Sequence, residues 1–530
     1  MKKRPWLLQR IGPLSIVLGL LLSAGAVHAA GTLRIAPMGE PASLDPHKIS
    51  GTWENYIVGD MFVGLMTEDP QAKAMPGVAE SWTISADGRI YTFKLRPSTW
   101  SDGTALTARD FVYSMRRILL PQTAAEYASL LYLIEGAEAI NGGKAAADTL
   151  GVQALDDSTL EIRLVAPAPY FLELLTHYSA YPVPGHVIDK VGADWTKPEH
   201  MVVNGPYRLV EWVPNTHVRL TRNDRFYGND SVILDNLTFY TQEDRAAVLK
   251  RFRAGEIDVA MDFASDQIDW LKANMPGETR IAPYIGVYYY AINTSIAPFS
   301  DIRVRTALSM AVNREAITDK VLKTGELPAY SFVPPGVAHY DQPAEVSWKA
   351  MPYRERLQEA RRLLAAAGFD RDNPLSVVLK YNTSENHKRI AVAIASMWKQ
   401  LSVKTELYNA EVKVHYADLK QANFQIARAG WIADYNDAQN FLYLMETRTG
   451  PLNYSRYSNP EYDQLMATAE MTVDLDERSG LMHQAEALAM VEVPVIPIYH
   501  YVSKNLVGKN VVGFENNAMD IHRWRYISLQ

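Results

Sequence analysis

The order in which two kinds of pattern follow each other along the chain limits its fold more than any other feature. Residues 63–184 are rich in hairpin signals, of which the clearest joins Ser81–Ile84 to Ile90–Leu95 through the turn Ala86-Asp-Gly88. From about residue 286 onward, strand-like and helix-like segments alternate, which is typical of an α/β layer. A chain of 530 residues is also too long for a single core, so we expect two or three domains.

Two local predictions matter for the later argument. Apolar residues with helical spacing predict one helix over Asp301–Leu322. The short apolar run Phe424–Ala429 is strand-like, and Gly430 is expected to interrupt it before a loop of polar and aromatic residues.

Residues 1–29 have the features of a secretory signal peptide. A basic start is followed by an apolar stretch that glycines interrupt, and Val27-His28-Ala29 supplies small residues where a signal peptidase cleaves. Four basic residues and no acidic residue would leave with this segment, so the formal charge of −7 becomes −11. The chain has no cysteine, which excludes disulfides and the acylated cysteine of a lipoprotein. We therefore expect a soluble periplasmic protein with no affinity for nucleic acid.

The stretch Phe424–Asp437 holds groups that suit a zwitterion. Arg428 offers a guanidinium for a carboxylate, Trp431 an apolar face, and Asp434 a carboxylate for an ammonium group. The same residues also fit a solvated loop with a structural ion pair, and local sequence does not decide between the two.

Several longer segments, in order along the mature chain, carry a resemblance to known proteins. They include Ser43-Leu-Asp-Pro-His47, Trp100-Ser-Asp-Gly-Thr104, Asn204-Gly-Pro-Tyr207, Arg253-Ala-Gly-Glu-Ile-Asp258, Pro298-Phe-Ser-Asp-Ile-Arg303, Arg428-Ala-Gly-Trp431 and Ala433-Asp-Tyr-Asn436. With these segments the chain resembles the periplasmic oligopeptide-binding proteins, which are the receptors of ABC importers.

The resemblance implies an α/β fold of two lobes joined by a hinge, with an extra inserted α+β domain. Lobe I is expected to comprise residues 30–62, 185–285 and 502–530. The inserted domain is expected at residues 63–184, and lobe II at residues 286–501.

The resemblance also implies how an extended peptide is held. Asp434 corresponds to the aspartate that pairs with the peptide's α-amino group, and Tyr127 to a tyrosine near that end. Arg428 and His387 correspond to residues that receive the peptide's carboxylate. The remaining expected ligand contacts are the backbone of Gly430 and Ile432, together with Trp431, Tyr289, Asn382, Ser50 and Thr52.

Three positions depart from this pattern. Some relatives carry a disulfide between the positions that Gly286 and Ile432 occupy here, so both halves of that bond are missing. Ser50 stands where the oligopeptide receptor has an acidic side chain, which weakens any expected preference for basic peptides. The segment Asn382–His387 is more similar to the murein-tripeptide receptor of the same family, and the substrate stays open between these two kinds of peptide.

Other classes of protein fit less well. The chain has no His-Glu-x-x-His zinc motif, no Gly-x-Ser-x-Gly elbow and no phosphate-binding loop, although scattered residues can still form an exported hydrolase. A periplasmic chaperone would share the same cleft. We expect a monomeric binding protein without catalytic residues, metal or cofactor, whose partners are a short peptide and the membrane permease subunits of an ABC importer.

Overall fold

The computed structural model describes residues 31–530, so the predicted signal peptide lies outside the described residues. Within this range, no helix has both the length and the apolar character needed to cross a bilayer.

Residues 31–285 form short strands, several of them consecutive, and short helices. In chain order they are β1 (Thr32–Ala36), α1 (Thr52–Val58), β2 (Met66–Glu68), β3 (Ala74–Pro76), β4 (Ala79–Ile84), β5 (Ile90–Leu95), α2 (Ala108–Leu119), α3 (Ala137–Asn141), β6 (Val152–Asp156), β7 (Thr159–Arg163), α4 (Phe171–Leu174), α5 (Gly185–Val191), β8 (Tyr207–Val213), β9 (His217–Arg222), β10 (Asn236–Tyr240), α6 (Arg245–Arg253), β11 (Val259–Ala260) and α7 (Ile268–Asn274).

The remaining elements include the two longest strands, of 13 and 14 residues. They are β12 (Thr279–Ile292), α8 (Ile302–Met310), α9 (Arg314–Ala316), β13 (Leu327–Pro328), α10 (Tyr353–Ala366), β14 (Ser376–Asn382), α11 (Glu385–Lys399), β15 (Lys404–Ala410), α12 (Val412–Gln421), β16 (Ile426–Ile432), α13 (Gln439–Leu442), α14 (Pro460–Met471), α15 (Leu475–Glu492), β17 (Val495–Val507), β18 (Val511–Val512) and β19 (Ser528–Leu529).

One mixed sheet runs through both lobes. Its strand order is β15-β14-β16-β12-β17-β11-β1-β10-β9-β8, and β13 pairs with β17 beside this path. The long strands β12 and β17 lie in the middle and pair antiparallel over most of their length. Their register shifts between Pro283 and Val287, so the ladder is interrupted next to the expected start of lobe II at residue 286. A bulge bends a strand locally, which makes this the natural place for a hinge.

The segment 63–184 forms its own antiparallel sheet of order β4-β5-β7-β6, with α2 packed nearby. Its alternating strands bury one face, as the hairpin pattern predicts: Tyr91, Phe93 and Leu95 point inward. The apolar core of this segment is continuous with that of lobe I, whereas lobe II has a separate core around β12 and β16.

The prediction of a single helix over Asp301–Leu322 is wrong, because the first helix ends at Met310. Helix α8 ends there, Asn313 caps the short α9 by accepting a hydrogen bond from Ala316 N (2.9 Å), and residues 317–322 form a wider π-helical turn. The break brings Arg314 into the interior, where its Nε donates to the carbonyl oxygens of Ala329 (2.6 Å) and Pro497 (2.8 Å). Those long-range partners are invisible to local periodicity.

The expected interruption at Gly430 is also wrong. Strand β16 continues to Ile432, because β12 offers a partner residue at every position from Ile292 opposite Ile426 to Gly286 opposite Ile432.

Candidate functional site

Strand β16 is paired on both sides only in its first two residues. Its ladder with β12 covers the whole strand, whereas β14 pairs with it only at Ile426 and Ala427. Beyond Ala427, no strand of the described residues covers the second edge. Ala433 N donates to Ile285 O (3.0 Å), and hydrogen bonding alternates along an antiparallel ladder. The N–H and C=O groups of Gly430 and Ile432 therefore point away from β12, toward this open edge.

The same alternation sets the side-chain positions. Side chains two residues apart share one face of a strand, so Arg428, Gly430 and Ile432 lie on the same face, and Asp434 follows at the next position of that series. The strand thus has a cation at one end and an anion just past the other.

Asp434 lies in a cavity of about 300 Å³ between elements of both lobes. Five of the residues predicted from sequence line this cavity together, namely Ser50, Thr52, Tyr127, Ile432 and Asp434. The lining contains no lysine or arginine among the described residues.

The Asp434 carboxyl is in an environment that disfavours its charge. Burial raises its pKa to about 6, although hydrogen bonds from Asn440 and Tyr127 oppose the shift. No basic side chain that the structure describes forms an ion pair with it. A cation that enters the cavity would therefore find an anion without a competing partner.

Asn440 orients this end of the site, and nothing in the sequence had indicated it. Its buried Oδ1 accepts from the Trp431 indole Nε1 (2.9 Å) and from the Asp434 backbone N–H (3.1 Å). One oxygen thus fixes both the indole and the start of the segment 433–438, here called the Asp434 loop. Trp431 also packs edge-on against Tyr443, with 5.9 Å between ring centroids.

A second buried carboxylate supports the Asp434 loop from behind. Ala338 N donates to Asn436 Oδ1 (2.9 Å), which joins the loop to the segment 330–346. That segment is fixed by fully buried Glu486, whose oxygens accept from the backbone N–H groups of Phe332, Val333 and Ala344 and from the Tyr340 hydroxyl, at 2.7–2.9 Å. Burial raises the pKa of Glu486 to about 7.

Arg428 forms the other end of the site. Its side chain is buried, yet no carboxylate that the structure describes pairs with it. Its Nη1 donates to Asn382 Oδ1 (3.3 Å) and to the Tyr416 hydroxyl (3.2 Å), and its Nη2 donates to the Tyr501 hydroxyl (3.1 Å). The guanidinium also lies over the Tyr288 ring at 4.8 Å, and its Nε has no hydrogen-bond partner. Neutral partners leave the positive charge uncompensated.

His387 lies beside this cation and is neutral. Its Nδ1 is 3.3 Å from the Tyr288 hydroxyl, and its ring centroid is 5.5 Å from that of Tyr288. Burial lowers the pKa of His387 to about 3, and the charge of Arg428 adds to the shift. Its ring can therefore offer a hydrogen bond to an anion, but no charge at neutral pH.

Tyr289 is the most buried of the predicted site residues. It is 2% exposed, its ring packs edge-on against Phe332 at 5.0 Å, and strand alternation puts it on the opposite face from Tyr288. The tyrosines that surround Arg428 are instead Tyr288, Tyr416 and Tyr501. None of these three tyrosines was among the site residues expected from the sequence.

Proteins of known function and structure are similar to this chain over nearly its whole length. A family profile described as "Bacterial extracellular solute-binding proteins, family 5 Middle" matches residues 73–452. The Salmonella typhimurium protein named periplasmic oligopeptide-binding protein OppA is 41% identical over 483 residues, which are 90% of this chain and 88% of that protein.

Solved structures also match the chain, and each of the following two covers 94% of it. The structure titled "MppA Periplasmic Murein Tripeptide Binding Protein, Unliganded Open Form" has a TM-score of 0.84, 38% identity and 97% of its own chain covered. The complex of Haemophilus influenzae OppA with the peptide RPPGFSPFR has a TM-score of 0.79, 35% identity and 98% of its own chain covered.

Proposed function

The chain belongs to family 5 of the bacterial extracellular solute-binding proteins, and we propose that it binds short peptides in extended form between its two lobes. In this proposal it is the periplasmic substrate-binding component of an ABC importer, passes its ligand to the membrane permease subunits, and catalyses no reaction. Lobe I, the inserted domain and lobe II keep the boundaries given above, with the hinge at the bulge between Pro283 and Val287.

The observation that carries the proposal is a pair of opposite charges without partners. Asp434 and Arg428 lie along one strand, and neither pairs with an oppositely charged side chain that the structure describes. A free peptide carries an ammonium group at one end and a carboxylate at the other. It is therefore complementary to both ends of the site at once.

The open edge between the two charges suits a peptide backbone. Gly430 and Ile432 direct N–H and C=O groups toward this edge, so an extended peptide can add to the sheet beside β16. With its amino end at Asp434 and its carboxyl end at Arg428, the peptide would run antiparallel to the strand. Hydrogen bonds of this kind are indifferent to the peptide's sequence, so the terminal charges would set its register.

The spacing of the charges limits peptide length. Six positions along a strand correspond to about 20 Å at ~3.3 Å per residue. An extended peptide spans at most about 3.3–3.6 Å per residue, so about six residues are needed to cover this distance along the strand. A long side chain such as that of Arg428 can reach along the cleft, so a somewhat shorter peptide can also contact both groups.

The other predicted site residues keep supporting roles in this proposal. Tyr127, Ser50 and Thr52 would enclose the amino end, whereas His387 and Asn382 would lie at the carboxyl end. Trp431 would line the cleft beside the Asp434 loop, and Tyr289 would act only from the core beneath it.

Calorimetry with one peptide in three forms tests the proposal. Trialanine, N-acetyl-trialanine and trialanine amide differ only at their termini, where each blocking group removes one charge. We expect the free peptide to bind much more tightly than either blocked form, and alanine alone to bind weakly. Absence of binding to all three forms, or equal affinity for them, would refute peptide recognition by the termini.

A second candidate ligand is a peptide fragment of murein. The similarity to the murein-tripeptide structure, which has the higher of the two TM-scores, favours it. Native mass spectrometry of the protein purified without denaturation distinguishes the candidates, because the mass of a co-purified ligand separates ordinary peptides from murein fragments.

A further inference from the structure

The Asp434 loop is held from both sides of the interlobe boundary. On the lobe II side, Asp437 forms two hydrogen bonds of 2.8 Å with the guanidinium of Arg478, and both side chains are buried. On the other side, Tyr435 is stacked on Tyr170 of the inserted domain, with 5.1 Å between ring centroids and an interplanar angle of 6°. The Arg478 guanidinium also lies 5.4 Å from the centre of the Tyr170 ring.

Tyr435 has an unusual place in the packing. Among the described residues of lobe II, it is the only buried apolar side chain that belongs to the core shared by lobe I and the inserted domain. Its hydroxyl donates to Gln439 Oε1 (2.5 Å), which returns the ring's polar end to lobe II. The residue next to Asp434 is therefore anchored in the opposite half of the molecule.

We propose that Tyr170 is a positioning residue for the ligand's amino end, which makes the geometry of Asp434 depend on contact between the inserted domain and lobe II. Tyr170 does not line the cavity that contains Asp434, so it acts through Tyr435 and Arg478. Separation of the inserted domain from lobe II would break the stack and leave the loop with its lobe II contacts only. The amine site would thus be complete only while the inserted domain contacts lobe II. This inference rests on the proposed function.

The chemistry of the contact supports this role. A stacked aromatic pair and a guanidinium over a ring both require fixed distances and orientations, unlike a general apolar contact. Tyr127, which faces the Asp434 carboxylate, also belongs to the inserted domain. The inserted domain therefore contributes to the geometry of Asp434 in two ways. Tyr127 contacts its carboxylate, and Tyr170 contacts the next residue of the loop, Tyr435.

The test compares Tyr170→Leu and Tyr170→Phe by calorimetry with trialanine and N-acetyl-trialanine. Leucine removes the stack, and we expect the affinity for the free peptide to fall about tenfold. The acetylated peptide lacks the charge that Asp434 recognises, so its affinity should change little. Phenylalanine keeps the ring and should retain the preference for the free peptide.

Tyr132→Leu is the matched control, because Tyr132 lines the same interlobe cavity as Tyr170 but hydrogen-bonds Asn141 and not the loop. It should leave both affinities unchanged. If Tyr170→Leu does not fold, Tyr435→Leu removes the same stack from the other side and should give the same result.

Three outcomes would overturn the inference while leaving peptide binding intact: an unchanged preference for the free peptide in Tyr170→Leu, an equal loss for both peptides, or failure of Tyr170→Phe to keep the preference. Absence of peptide binding by the unaltered protein would instead refute the proposed function.

Discussion

Replacing Asp434 with asparagine tests the central claim about this site. Asp434→Asn keeps the size of the side chain and one carbonyl oxygen, but it removes the carboxylate charge at the expected position of the ligand's ammonium group. The other carboxylate of the described lining, that of Asp520, is already bonded to Tyr56, Asn505 and His522, so in the variant a bound ammonium would lose its counter-charge.

The size of the expected effect follows from the position of the cavity between both lobes. Removing one member of a buried ion pair costs about 3–5 kcal/mol, because the surviving charge has lost its hydration without gaining a partner. The cavity is open enough to admit some water, so we take the lower value. A loss of about 3 kcal/mol weakens Kd by about 150-fold.

Calorimetry at pH 7.5 measures this effect with trialanine and N-acetyl-trialanine. The variant should lose affinity for the free peptide only, so that the preference of the parent for free over acetylated peptide nearly disappears. Asp269→Asn, at an exposed position of α7, is the control for removal of one negative charge. A Kd for Asp434→Asn within threefold of the parent value would show that the ammonium group lies elsewhere.

Three further predictions concern other groups of the site and its support. The pKa of Asp434 in the free protein is about 6, and its carboxylate must be ionised to bind an ammonium group. The affinity for trialanine should therefore be constant above pH 7 and fall about tenfold per pH unit below pH 6. A flat calorimetric profile from pH 7 to pH 5 would contradict this expectation. Arg428→Gln should abolish the preference for trialanine over its amide, because the cation expected at the carboxyl end is gone, and calorimetry that finds the preference intact would place that end elsewhere. Glu486→Gln should lower the free energy of unfolding by about 3 kcal/mol, because the single carbonyl oxygen of glutamine cannot replace a carboxylate that accepts four hydrogen bonds. An unchanged denaturation midpoint would show that Glu486 does not stabilise the segment 330–346.

The sequence could predict those parts of the site whose residues lie close together along the chain. Arg428 and Asp434 stand in one short stretch, and their opposite charges alone suggested a zwitterionic ligand. The structure adds that residues of even number share one strand face, and that Gly430 continues the strand. The continuation of the strand through Gly430 depends on its pairing with β12, which is more than 130 positions away in the chain. The local propensity of a glycine could not reveal this pairing.

Other features depend on contacts that no local pattern encodes. Asn440 is an ordinary amide in the sequence, and its importance comes from two donors that meet at one oxygen. The break after Met310 follows from the buried guanidinium of Arg314 and its distant carbonyl partners. Tyr289 was expected at the cleft from resemblance, but the pleat of β12 turns its ring into the core, and Tyr288 faces Arg428 instead.

The two charged ends of the site are each unfavourable in the protein alone. Arg428 is buried among hydroxyl groups that do not neutralise it, and Asp434 has lost enough hydration for its pKa to rise toward 6. A ligand with one charge relieves only one of these penalties and leaves the other in a cleft that closes further. A ligand with both charges, at the spacing of a short extended peptide, relieves both together. Closure around a zwitterion should therefore be favoured over closure around an uncharged or singly charged solute, and the requirement for two opposite charges, rather than any side-chain pocket, is what would select peptides as a class.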